Sequence, residues 1–174
     1  MIAVAWTDNP LENHWHYQQV VLEEEFYLAY PFVFHYMGEY FMIPSTRDTN
    51  SIRLYRATLF PNRWTFVRTL VEGHPFVNTS PILHEGRWWL FTLLDHNDNP
   101  QLIIFYSNTL DLLAEDLVWK PHPSCPCYSG DTKRTKPGGR PLIFDGVIYR
   151  YVPPVNFHLS QSPPKQPLPL TSEN

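Results

Sequence analysis

The chain has 174 residues, 43% hydrophobic and 16% aromatic, with a formal net charge of −4. That length suffices for one domain with its own core, and no stretch approaches the ~18 apolar residues of a membrane-spanning helix. Its densest cationic cluster, Lys133-Arg134-Thr135-Lys136, lies among Gly and Pro. A chain so charged has no basic face for a phosphate backbone, which excludes nucleic acid as a partner.

The opening Met1-Ile2-Ala3-Val4-Ala5-Trp6 has neither a basic start nor a long apolar run, so no signal peptide is read and an untargeted, soluble chain is expected. Residues 1–26 read as two strands joined by the loop Asp8 to Asn13. Residues 27–73 contain a full unit: strands over Phe32–Tyr36, Tyr40–Ile43, Ile52–Ala57 and Trp64–Leu70, with a turn at Met37-Gly38. Period-two alternation bounded by Gly, Pro and Asn is the signal in each. Glu23-Glu24-Glu25, just before this unit, reads as a charged guard on a sheet edge.

Residues 74–122 repeat the pattern, with a turn at Glu85-Gly86 and a polar link from Asp95 to Pro100. Pro121 to Gly139 reads as a loop rich in Pro, Gly and Ser. Within it, Cys125 and Cys127 flank Pro126, too close for a relaxed disulfide, and two free thiols are expected. Residues 139–152 supply one more hairpin around Asp145-Gly146. From Pro153 to Asn174 alternation stops and proline accumulates, so this stretch reads as a disordered tail following a domain over 1–152. Pro164 and Pro167 have the spacing of a polyproline ligand, a pattern common by chance.

The units repeat. Gly38, Gly86 and Gly146 recur at intervals of 48 and 60 residues, and Trp15, Trp64 and Trp119 at 49 and 55. A four-strand unit of this period is the signature of propeller blades. The expected fold is all-β: an incomplete β-propeller of about two full blades plus two half blades.

The order of Tyr30-Pro31-Phe32-Val33-Phe34, Met42-Ile43-Pro44, Arg53-Leu54-Tyr55-Arg56-Ala57, Gly86-Arg87-Trp88-Trp89-Leu90-Phe91 and Gly138-Gly139-Arg140-Pro141 resembles a known family. It is the amino-terminal domain of plant and algal glucosamine inositolphosphorylceramide transferases, over about residues 2–151. The resemblance implies a five-bladed propeller similar to family 43 glycoside hydrolases. It also implies a separate carboxy-terminal glycosyltransferase domain in the plant proteins, and a Golgi location for a full-length parent.

Glycoside hydrolysis needs two carboxyl groups about 5–10 Å apart. The resemblance places one acid in an Ala-Asp-Pro-like motif that this chain does not contain. It places a second after Met-Ile-Pro, where Ser45 stands, and a third in a Val-Asp-Thr-like segment that reads Val77-Asn78-Thr79. Serine and asparagine cannot exchange a proton at neutral pH, so no catalytic residue is assigned. Tyr30, Ser45, Asn78, Thr79 and Arg140 remain as ligand-binding candidates, with structural roles as the alternative for each. Arg140 is equally an anchor between blades.

No cofactor or metal is read. His14-Trp15-His16 puts two imidazoles on one strand face without a third ligand. Asp95-His96-Asn97-Asp98-Asn99 lacks the Gly and terminal Glu of a calcium loop, and no Gly-x-Ser-x-Gly elbow occurs. The expected function is a carbohydrate- or glycolipid-binding or transferase-accessory propeller, catalytically degenerate, with a glycan or glycolipid headgroup or a glycosyltransferase domain as partner. One rival is an active glycosidase- or glycosyltransferase-related domain using Asp95 or Glu39. Another is a fragment without independent function.

Overall fold

Every repeat is bent into antiparallel strands by the same short turn. Met37-Gly38, Glu85-Gly86 and Asp145-Gly146 take φ values of 50 and 82, 49 and 67, and 50 and 73 degrees. Two consecutive positive φ values make the two-residue turn whose twist suits a hairpin, and glycine in second place removes the Cβ clash.

A computed structural model describes residues 1–12, 14–96 and 99–152. Strands β1 (Ile2–Trp6) and β2 (His16–Leu22) form a hairpin. The first complete blade is β3 (Ala29–Tyr36), β4 (Glu39–Ser45), β5 (Ser51–Leu59) and β6 (Arg63–Glu72), paired in that order. The second runs β7 (Phe76–His84), β8 (Arg87–His96), β9 (Asn99–Ser107). Two short strands, β10 (Lys120–Pro121) and β11 (Tyr128–Ser129), both pair with β9. A one-turn helix α1 (Thr132–Thr135) precedes the last hairpin, β12 (Leu142–Phe144) and β13 (Val147–Tyr149).

Alternation sends the first blade's side chains to two opposite faces. Phe32, Phe34, Phe41, Ile43, Ile52 and Leu54 meet Phe76, Trp88, Leu90 and Phe105 of the second blade. Met42, Tyr55 and Trp64 face the other way and are covered by Ile2, Leu22 and Leu28. Aromatic rings knit the joint between blades: Phe34 and Trp88 meet edge-on at 5.7 Å, and Tyr36 and Trp88 at 4.9 Å. The hydrophobic effect therefore acts between sheets rather than within them.

Three expectations change. The link from Asp95 to Pro100 is narrower than expected, because β8 continues through Asp95 and His96 and β9 starts at Asn99. The segment from Pro121 to Gly139 is not a plain loop. Its backbone joins the edge of β9, with Cys127 N–H donating to Leu102 O at 2.9 Å and Gly130 N–H to Pro100 O at 2.9 Å. Glu24 does not guard an edge: its carboxylate accepts the Tyr55 hydroxyl at 2.8 Å. Burial first, and that carboxylate second, push the Tyr55 phenol far above its ordinary range. The tail expected over 153–174 and the Asn97-Asp98 pair lie outside the described residues. Among the described residues no helix is long and apolar enough to cross a membrane.

If the inter-blade face carries the stability, Leu54→Ala, at a site 0% exposed, will cost about 2–5 kcal/mol in denaturant unfolding. Phe144→Ala, at a site 72% exposed, will stay within about 0.5 kcal/mol.

Candidate functional site

The innermost strands of both complete blades begin with the same irregularity. Tyr30 and Asn78 each lie eight residues before the turn glycine of their hairpin. Each has positive φ, 46 and 54 degrees, and each falls in a register shift of the β3–β4 or β7–β8 pairing. Counted this way, Tyr30 matches Asn78, not Ser80, so the X-Pro dipeptides of the repeats are offset by two residues. Left-handed backbone at a non-glycine residue costs of order 1–3 kcal/mol and persists only where surrounding contacts hold it.

The contacts are present. Ser45 Oγ, buried at the end of β4, accepts the Asn78 N–H at 2.8 Å and so ties the two blades together. Asn78 Nδ2 donates to Pro137 O at 3.4 Å. The Tyr30 hydroxyl lies 3.2 Å from Ser80 Oγ. Burial raises the Tyr30 phenol above its ordinary range, opposed by hydrogen bonds with Ser80 and the Gly139 backbone, so at neutral pH it keeps its proton and can donate.

Between these strand ends opens a cleft of about 380 Å³, lined by Tyr27, Ala29, Ser45, Arg47, Asp48, Val77, Asn78, Leu93, Asp95 and Lys136. A 3₁₀ turn, Arg47–Thr49, brings Arg47 and Asp48 to it. Hydroxyls hold that turn: Thr46 Oγ1 donates to Ser51 O at 2.6 Å, and Thr49 Oγ1 to Thr46 O at 2.7 Å. Across the cleft Arg47 pairs with Asp95 at 3.4 Å, while Asp48 accepts the Tyr27 N–H at 3.2 Å. Both members of the ion pair are about half exposed, so the pair orients side chains more than it stabilises the fold.

Of the five residues named from sequence, the cleft gathers Ser45 and Asn78. Thr79 is buried behind them, its hydroxyl 2.9 Å from that of Thr92. Arg140 lies over the Phe32 ring and donates to Val33 O at 2.6 Å, which is the anchoring role. Tyr30 does not line the cleft, and its hydroxyl meets Ser80 instead. Tyr27, Arg47, Asp48 and Lys136 carry no sequence motif that marks them, and Asp95, one of the two acids of the rival enzyme reading, lies on β8 rather than in a turn. The usable signal was proximity: Arg47 and Asp48 follow Ser45 directly. Glu39 sits at the opposite end of β4, paired with Arg56 at 3.3 Å.

The remaining sequence candidates lie elsewhere. His16 stacks on Trp6 at 4.5 Å, and among the described residues no three His, Cys, Asp or Glu side chains converge on a metal position. Cys125 and Cys127 are free thiols with sulfurs 3.4 Å apart. Burial, reinforced by Cys125, pushes the Cys127 thiol up to about 12, against the pull of Arg150.

Stacked antiparallel sheets, with polar residues at the ends of the innermost strands, define blades of a β-propeller. The fold superposes on an exo-β-1,3-galactanase from Phanerochaete chrysosporium, crystallised with β-1,3-galactotriose, with TM-score 0.62 and 12% identity over 85% of this chain and 34% of that one. The α-L-arabinanase of Cellvibrio cellulosa, complexed with arabinohexaose, matches with TM-score 0.55 and 11% identity over 71% and 43%. A family 43 enzyme from Xanthomonas citri complexed with xylose matches with TM-score 0.50 and 14% identity over 72% and 40%. At these identities the likeness is one of fold. Sequence carries it further: residues 2–156 match the family described as glucosamine inositolphosphorylceramide transferase 1, N-terminal, and the chain belongs to that family. It is 37% identical over 141 residues to glucosamine inositolphosphorylceramide transferase 1 of Oryza sativa subsp. japonica, and 35% identical over 143 residues to that of Arabidopsis thaliana. Each match covers 78% of this chain and 18% of the relative, so the chain spans under a fifth of their length.

Ser45→Ala removes the acceptor for a left-handed backbone N–H and will lower unfolding stability by about 1–3 kcal/mol. Asp95→Asn, at a half-exposed pair, will lower it by less than about 1 kcal/mol. Equal effects in urea titrations would contradict the inter-blade role of Ser45.

Proposed function

We propose that the cleft between the two complete blades binds a sugar or a glycolipid headgroup, and that the propeller serves as a binding accessory to a glycosyltransferase. One observation carries the reading: a cleft of about 380 Å³ at the ends of the innermost strands, lined by mixed donors and acceptors on a rigid frame. Its volume falls within the range of small-ligand sites. Arg47 and Lys136 supply fixed and mobile cations, Asp48 and Asp95 supply acceptors, and Tyr27 adds an aromatic surface. Balanced charge of this kind suits hydroxyl-rich ligands, whose groups donate and accept at once. The name of the rice and Arabidopsis relatives, glucosamine inositolphosphorylceramide transferase 1, agrees with a glycolipid as the ligand class.

Catalytic degeneracy belongs to the same proposal. Ser45 and Asn78 occupy the positions where the family resemblance implies acids, and their groups hold the blades together instead. A hydrolytic reading has one observation in its favour, since Asp48 and Asp95 line the same cleft. Asp95 is committed to Arg47 and Asp48 to a backbone amide, which supports binding over proton transfer.

Glycan arrays followed by calorimetry on the intact chain test the proposal. Binding to at least one hexosamine- or uronic-acid-containing glycan is expected, and Arg47→Ala should weaken it by about tenfold or more, as for loss of a charged hydrogen bond. An array with no bound glycan would refute the binding role. Release of reducing sugar by the unmodified chain would refute the degeneracy.

A further inference from the structure

Away from the cleft, the fold holds one pair of reactive side chains together. Cys125 and Cys127 span the gap between β10 and β11 on the edge of β9, where Lys120 and Pro121 pair with Tyr106 and Phe105, and Tyr128 and Ser129 with Leu102 and Gln101. At Ile104, between those pairings, a sulfur stands in for a backbone acceptor: the Ile104 N–H donates to Cys125 Sγ at 3.1 Å. Both thiols are partly exposed, so a reagent from solvent can reach them.

The two sulfurs have different surroundings. Burial keeps the proton on Cys127, whose S–H therefore donates to Cys125 Sγ across the 3.4 Å between them. Negative charge on Cys125 thus has two donors in place, and it is the thiolate that attacks sulfur. Behind the pair, Arg150 is only 7% exposed, with one nitrogen donating to Arg134 O. Among the described residues its Nε and Nη1 have no partner. A buried guanidinium without an anion is costly, and the charge of this one favours a thiolate at Cys127.

We propose that Cys125, Cys127 and Arg150 form a thiol–disulfide exchange site whose oxidant is a small-molecule disulfide. In the first step the Cys125 thiolate attacks one sulfur of that disulfide. Its S–S bond breaks, a mixed disulfide forms on Cys125, and one small thiolate leaves. Cys127 then gives its proton to that thiolate or to water, with Arg150 holding the resulting charge. The Cys127 sulfur attacks Cys125 Sγ from the place it already occupies, and the second small thiolate leaves. The chain loses two electrons and two protons, and the small disulfide becomes two thiols. Only Pro126 separates the cysteines, so the closed ring is strained and reopens in excess small thiol, as labile rather than structural disulfides do.

Oxidised glutathione added to the full, reduced chain tests this, with acid-quenched samples followed by intact-mass spectrometry and maleimide labelling of the remaining thiols. The wild-type chain should lose both thiols while keeping no glutathione, and excess reduced glutathione should restore them. Cys127→Ser should stop at a chain carrying one glutathione on Cys125, and Cys125→Ser should react at least about tenfold more slowly. Arg150→Gln should slow ring closure about tenfold and Arg150→Lys should restore it, with circular dichroism checking the fold of each variant. A wild-type chain that ends with a glutathione on each cysteine, or whose thiols outlast a large excess of oxidised glutathione, would overturn the proposal. Equal rates for the two serine variants would overturn the division of roles, and closure indifferent to Arg150→Gln would remove Arg150 from the site.

Discussion

A propeller blade is apolar on both faces, and that constraint governs this molecule. The first blade cannot exist as an isolated sheet, because alternation sends Phe34 and Leu54 one way and Met42 and Tyr55 the other. Each face needs a neighbouring sheet, which the second blade and the β1–β2 hairpin supply. The twist of stacked sheets then leaves the innermost strand ends splayed, with a polar seam where they begin. The cleft is a product of blade packing rather than a feature added to it.

The seam shows how structural and functional demands share residues. Ser45 and Asn78 stand on facing blades, and the bond between them both fixes a left-handed backbone and sets the cleft wall. An acid at either place would put a charge beside the buried joint, where burial without a partner is costly. The neutral Ser45 side chain and the Asn78 backbone amide make that joint without any charge. Arg47, Asp48 and Asp95 then carry the polar character of the wall, and two of these three reach it from a turn pinned by Thr46 and Thr49.

Much of the architecture was legible in the sequence because it rests on local chemistry. Met37-Gly38, Glu85-Gly86 and Asp145-Gly146 each announce a hairpin through backbone requirements that few residue types satisfy. Alternating aromatics announce strands, while burial on both faces appears only in the packing of neighbouring sheets. What was hidden depends on partners distant in sequence. Asp95 and His96 are polar, yet they extend β8 because Pro100 and Asn99 lie opposite. Tyr128 and Ser129 look like loop residues and become a strand only because the β9 edge lacks another partner there. Asp48 and Asp95, 47 positions apart, share one cleft through the stacking of two blades, which no local pattern records. For Arg140 the anchoring role was legible but its partner was not, since Val33 is 107 residues away.

The family match and the fold agree on ancestry, and the central proposal is that the cleft binds a sugar. Backbone amide chemical-shift mapping, with a hexosamine- or uronic-acid-containing oligosaccharide titrated into the chain, tests that claim most directly. Shifts concentrated at Ser45, Arg47, Asn78 and Asp95, and absent from the far turns at Gly38 and Gly86, are the predicted result. Shifts at those turns, or none at millimolar ligand (the weak limit of useful recognition, about −4 kcal/mol), would contradict it.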